Sequence, residues 1–97
     1  MKSAYVIGNI TVIDQDKWSE YCRKVPATLS PWEGELVFRG KQQTVLGGKY
    51  QHSNAVVIRF PSIEALNNWF NSNDYQALIP LREQAANVDL ISYQSDS

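Results

Sequence analysis

Glu35, Arg39 and Arg59 carry the most pointed chemistry in this sequence. Glu35 and Arg39 belong to "ELVFR" (35–39) and Arg59 to "NAVVIRF" (54–60), two runs with the β-branched, alternating character of strands. Strict alternation puts all three side chains on one face of a sheet. Glu35 can pair with either arginine, which leaves at least one guanidinium free to hold a carboxylate or another anion. The competing reading, an ion-pair network that only fills an interface, is the favoured one. "AYVIGNITVI" (4–13) adds Tyr5, Asn9 and Thr11 to the same face. Tyr5, Asn9, Arg39 and Arg59 are therefore the candidate ligand-binding residues.

Other reactive side chains are few. His52, the only histidine, lies beside Tyr50 in a loop spanning 47–54 and is a weak candidate general base; a lone loop histidine is more often simply solvated. Cys22, the only cysteine, falls on an apolar helical stripe and reads as a small core hydrophobe. One histidine, one cysteine and scattered acids show no metal-ligand spacing, so no metal and no cofactor is expected. Gly47 and Gly48 lack the strand-loop-helix setting of a phosphate loop and read as a turn. An axial haem histidine is missing from both expected helices.

The elements that must position these residues follow from periodicity. The first strand is apolar or small at Ala4, Val6, Gly8, Ile10 and Val12, and mixed at Tyr5, Ile7, Asn9, Thr11 and Ile13. Asp14 caps a helix from Gln15, with Trp18, Tyr21, Cys22, Val25 and Leu29 as its stripe and a kink or restart at Pro26. Strands follow at 35–39 and 54–60, with a bulge or turn at Gly40 and an extended piece at 43–46. Ser62 caps a second helix that buries Leu66 and Trp69. Ser72 or Asn73 starts another, bent near 76–80 because Pro80 cannot sit mid-helix. A strand at 88–93 closes the chain.

The order β-α-β-β-α-β is the ferredoxin-like pattern, an α+β fold with a four-stranded antiparallel sheet and helices on one face. All 97 residues fit a single domain. Tyr5, Ile7, Val37, Val57, Ile91 and Tyr93 would then lie on the helix-free face, a larger apolar patch than monomers commonly expose. The most economical cover is the same face of a second copy, giving a homodimer. Nine basic against ten acidic side chains, scattered, argue against nucleic acid. No apolar run approaches a membrane span or a signal peptide, so a soluble, cytoplasmic protein is expected.

"AYVIGNITVID", "VPATLSPWEGELVFRG" and "VVIRFPSIEALNNWFNSNDYQALIPLRE" resemble the small bacterial proteins of the family called domain of unknown function 1330, within the dimeric α/β-barrel superfamily. The resemblance covers nearly the whole chain and implies a homodimer with two facing sheets. It departs at two positions: the family pattern carries an acidic residue where Arg59 stands and a basic one where Glu35 stands. That exchange preserves a salt bridge and leaves any anion site unfixed. Two functions compete. One is a homodimeric small-molecule-binding or structural module, taking a small anionic or aromatic ligand. The other, by superfamily analogy, is a cofactor-independent enzyme, an oxygenase or isomerase, acting on a small aromatic or acidic metabolite. An enclosed, partly polar cavity of roughly 300 Å³ or more would favour the enzyme.

Overall fold

The β-branched run at the start of the chain forms β1 (Ala4–Val12), and the computed structural model describes residues 2–96. Asp14 accepts a hydrogen bond from the Lys17 backbone N–H at 3.1 Å and starts α1 (Gln15–Leu29). The helix runs unbroken through Pro26, with no restart. Pro26 is exposed within the last turn, and its missing N–H costs the helix one hydrogen bond without ending it. A 3-10 turn (Ser30–Trp32) leads to β2 (Glu35–Lys41), and an exposed, irregular segment, 42–53, to β3 (Asn54–Phe60). The extended piece expected at 43–46 is part of that irregular segment.

Ser62 caps α2 (Ile63–Asn71) by accepting from the Ala65 N–H, and Ser72 caps α3 (Asn73–Gln76) by accepting from the Tyr75 N–H. The chain bends at 77–78, and α4 (Ile79–Ala85) restarts with Pro80 in its first turn, where a proline costs no helical hydrogen bond. β4 (Ala86–Gln94) completes an antiparallel sheet of order β2-β3-β1-β4. This is the expected α+β architecture.

The core lies between the sheet and the helices. Trp69, Tyr75 and Phe60 are fully buried, with ring centroids 4.3 Å apart for Trp69–Tyr75 and 5.3 Å for Phe60–Trp69. Val6, Ile58, Leu66, Val25 and Leu29 pack around them. Gly8 matters for its missing side chain. A Cβ there would stand 2.9 Å from Val56 Cγ1 and 3.3 Å from Leu90 Cδ1, the two cross-strand neighbours that fill its space. Gly8→Ala is therefore expected to destabilise the fold by about 1–3 kcal/mol through overpacking, read as a lowered urea midpoint.

Candidate functional site

Strand register sorts the helix-free face into rows. Tyr93, Tyr5, Arg59 and Glu35 form one row across β4, β1, β3 and β2. Ile91, Ile7, Val57 and Phe38 form the next, and Asp89, Asn9, Ala55 and Gly40 the third. Thr11 opposite Asn87 begins a fourth. An aromatic, charged end thus faces a polar end across an apolar belt. The first and third rows stand roughly 13 Å apart, four residues of strand at about 3.3 Å each.

Arg39 is absent from these rows. The register slips between Leu36 and Phe38, leaving Val37 as the extra residue of a bulge. Every side chain beyond the bulge changes face. Phe38 comes to lie opposite Val57 on the helix-free side, its ring over Gly40, where an added Cβ would be 2.5 Å from the ring. Arg39 comes opposite Val56 and turns toward the helices. The expectation that Arg39 joins Glu35, Arg59, Asn9 and Tyr5, with Phe38 beside Leu36, is corrected on this point: strict alternation fails where a residue is inserted. The bulge also sits at Val37, ahead of the expected Gly40.

The two arginines consequently have different fates. Arg59 Nη2 lies 2.9 Å from Glu35 Oε1, a half-exposed pair at the sheet's edge. Arg39 has no hydrogen bond or ion pair among the described residues. It stands exposed at a cavity of about 70 Å³ between α1 and the sheet, lined by Trp18, Tyr21, Cys22, Val56, Ile58 and Trp69 among others. Burial pushes the Cys22 thiol up from its ordinary range, with the Arg39 guanidinium partly opposing it. Behind the cavity the Tyr21 and Tyr75 hydroxyls meet at 2.8 Å, and Arg82 Nη1 donates to Tyr75 Oη at 2.9 Å. Burial holds the Tyr21 hydroxyl far above the usual phenol range, with Tyr75 adding to the effect, so this chain stays protonated.

His52 is not the solvated loop residue expected. Its Nδ1 lies 3.0 Å from Thr11 Oγ1 and its Nε2 2.7 Å from Asp89 Oδ2, and its side chain is only 12% exposed. Tyr50 packs edge-on against its ring at 5.9 Å and donates its hydroxyl to Asn9 Oδ1. The segment before β3 therefore folds back over the polar end of the helix-free face. Asp89 and Tyr50 join the cluster beside the residues that the sequence marks as candidates. Alternation within "VDLISY" already placed Asp89 on the face of Ile91 and Tyr93, but nothing local showed that His52 would reach it. Tyr5 lies in the first row, beside Tyr93 and Arg59 and apart from this cluster. Among the described residues no group of three or more His, Cys, Asp or Glu side chains is placed to hold a metal ion. No helix among them is long and apolar enough to cross a membrane.

Comparison with known proteins agrees with this fold. The family described as "Domain of unknown function (DUF1330)" matches residues 3–94. No curated protein matches the chain. A crystal structure of a protein of unknown function from Rhodopseudomonas palustris superposes with a TM-score of 0.83 at 14% identity, covering 99% of this chain and 84% of that one. A dimeric ferredoxin-like protein of unknown function from Jannaschia sp. CCS1 gives 0.77 at 10% identity, over 96% and 99%. SnoaB, a cofactor-independent oxygenase from Streptomyces nogalater, gives 0.72 at 7% identity, over 100% and 96%. At such identities the likeness carries the fold and none of the chemistry.

Proposed function

The chain belongs to the DUF1330 family, and from that premise we propose that it is a homodimeric small-molecule-binding module whose ligand is a small carboxylate with a compact apolar tail. The observation that carries this reading is Arg39, turned by a bulge onto an apolar, aromatic-lined cavity and left without a protein partner. A guanidinium in that position offers two parallel donors to a carboxylate. The cavity is about 70 Å³, and cavities about twice that size admit benzene. A short branched alkyl group suits it better than fused rings.

Assembly through the helix-free face is supported by the belt of Ile7, Val57, Phe38, Ile91, Tyr5 and Tyr93, where Phe38, Ile91 and Tyr93 stay largely exposed in the single chain. The Jannaschia relative of the same fold is itself described as dimeric. The rival reading, a cofactor-independent oxygenase or isomerase, draws only the fold from the Streptomyces relative.

Isovalerate titrated against the full chain tests the proposal by NMR. Saturable shifts at the Trp18 and Trp69 indole N–H groups are expected. Arg39→Ala should weaken binding by about tenfold to a hundredfold, the loss of a charge-assisted pair, with the fold intact. Equal binding by Arg39→Ala, or no shift at either indole, overturns it.

A further inference from the structure

We infer that Thr11, His52 and Asp89 form a nucleophile-base-carboxylate chain able to transfer acyl groups from small carboxylic esters. This activity lies outside the Arg39 cavity and stands independently of it. Thr11 Oγ1 is 3.0 Å from His52 Nδ1, and His52 Nε2 is 2.7 Å from Asp89 Oδ2. A carboxylate only accepts hydrogen bonds, so the His52 nitrogen that faces Asp89, Nε2, is the one that carries a proton. Nδ1 is then the unprotonated nitrogen, 3.0 Å from a Thr11 hydroxyl that also lies 3.4 Å from the Gln51 carbonyl; when the hydroxyl proton turns from that weaker acceptor to Nδ1, the alcohol is activated as a nucleophile. The imidazole is held by packing as well. It is 12% exposed, with the Tyr50 ring against it and Tyr50 tied to Asn9.

Two side-chain amides flank the nucleophile. Asn87 faces Thr11 directly across the β1–β4 ladder, and Asn9 lies two residues back on the same face. Among the described residues neither amide nitrogen has a protein partner, and Asn9 Oδ1 is already occupied by Tyr50. The Asn87 amide, which lines the same groove as Thr11, can donate to an oxyanion formed there. The space in front is a groove of about 500 Å³, lined by Thr11, His52, Asn87 and Asp89 together with Arg82 and Glu83 of α4. Arg82 and Glu83 belong to the helix layer, so the groove reaches round the edge strand β4.

The step balances with water as the only co-reactant. Thr11 Oγ1 bonds the ester carbonyl carbon while its proton passes to Nδ1. The tetrahedral adduct collapses, the carbon–oxygen bond to the leaving alcohol breaks, and that alcohol takes the proton from Nδ1. Water then attacks the acyl-threonine through the same nitrogen, releasing the acid and restoring the hydroxyl.

The probe is p-nitrophenyl acetate, read both as p-nitrophenolate release and by peptide mass mapping of the acetylated chain. Release by the wild type should exceed that of Thr11→Val, which removes the hydroxyl at nearly constant volume, by at least about tenfold, and His52→Ala should lose about a hundredfold, the scale of a general base. The acetyl group should map to the peptide holding Thr11, and Thr11→Ser should keep both the adduct and the release. Equal rates for wild type and Thr11→Val overturn the inference, as does acetyl found only on Lys49, Tyr50 or His52. If the cluster merely pins the loop to β4, Thr11→Val and wild type will not differ.

Discussion

Replacing Trp69 by alanine should lower the free energy of unfolding by about 3–5 kcal/mol, the range for a fully buried large aromatic. A domain of this kind has about 5–15 kcal/mol in total, so the variant should be partly unfolded under ordinary conditions. The size of the effect follows from what the side chain joins. Trp69 is 1% exposed and its ring lies between Phe60 of β3 and Tyr75 of α3, with Phe70 at its edge. Its indole Nε1 donates to Thr28 Oγ1 at 3.0 Å, and Thr28 in turn donates to the Val25 carbonyl at 2.7 Å. Removing it empties the junction of α1, α2, α3 and the sheet and leaves the buried Thr28 hydroxyl one partner short. Trp69→Phe keeps much of the packing and should cost less. Urea unfolding followed by circular dichroism checks both. A loss below about 1 kcal/mol for the alanine variant, the scale of an ordinary surface change, would mean that the core is not organised around this ring.

Much of this architecture is legible in the sequence, because it rests on local and repetitive signals. Alternation along β1 separates Val6 and Ile10 from Tyr5 and Ile7. Asp14, Ser62 and Ser72 announce three helix starts, and their side chains accept the expected backbone N–H groups. Pro80 forces the break between α3 and α4. The candidate site is less legible, for a physical reason. Its composition depends on events that alternation cannot register. One inserted residue at Val37 moves Arg39 to the opposite side of the sheet from Arg59 and brings Phe38 the other way. An irregular segment of a dozen residues, with few apolar anchors, returns so that Tyr50 and His52 meet β1 and β4, some 40 positions away. The sequence shows that one arginine must lack a carboxylate partner, and register then decides that it is Arg39.

The bulge separates two roles that a regular strand would have merged. With β2 unbroken, Arg39 and Arg59 would share the helix-free face with one glutamate between them, and a second copy placed there would bury an unpaired charge. Moving Arg39 to the helix side leaves a paired Arg59–Glu35 at the edge of the belt. The face is left without an unpaired arginine, and the spare guanidinium stands at the cavity between α1 and the sheet. Bulges commonly re-aim a side chain beside a functional site. This one re-aims Arg39 and at the same time removes an unpaired charge from the helix-free face.

That surface yields the second large effect: Ile7→Asp should convert a dimer into a monomer at micromolar concentration. Ile7 lies mid-belt, between Val57 on one side and Ile91 on the other, with Phe38 at the end of the row. In a two-fold assembly the substitution appears twice in the interface. Each carboxylate would be taken from water into an apolar setting without a partner, and breaking neutrality that way costs about 3–5 kcal/mol. The dimer dissociation constant should rise by at least about a hundredfold. Sedimentation velocity reads the change, and circular dichroism confirms that the single chain stays folded, since the position faces away from the core. Ile13→Asp serves as the control, because that side chain lies beyond the end of β1 and is 63% exposed. It should leave assembly unchanged. A wild-type monomer at these concentrations, or an Ile7→Asp dimer as tight as the wild type, would show that something other than a second copy covers the helix-free face.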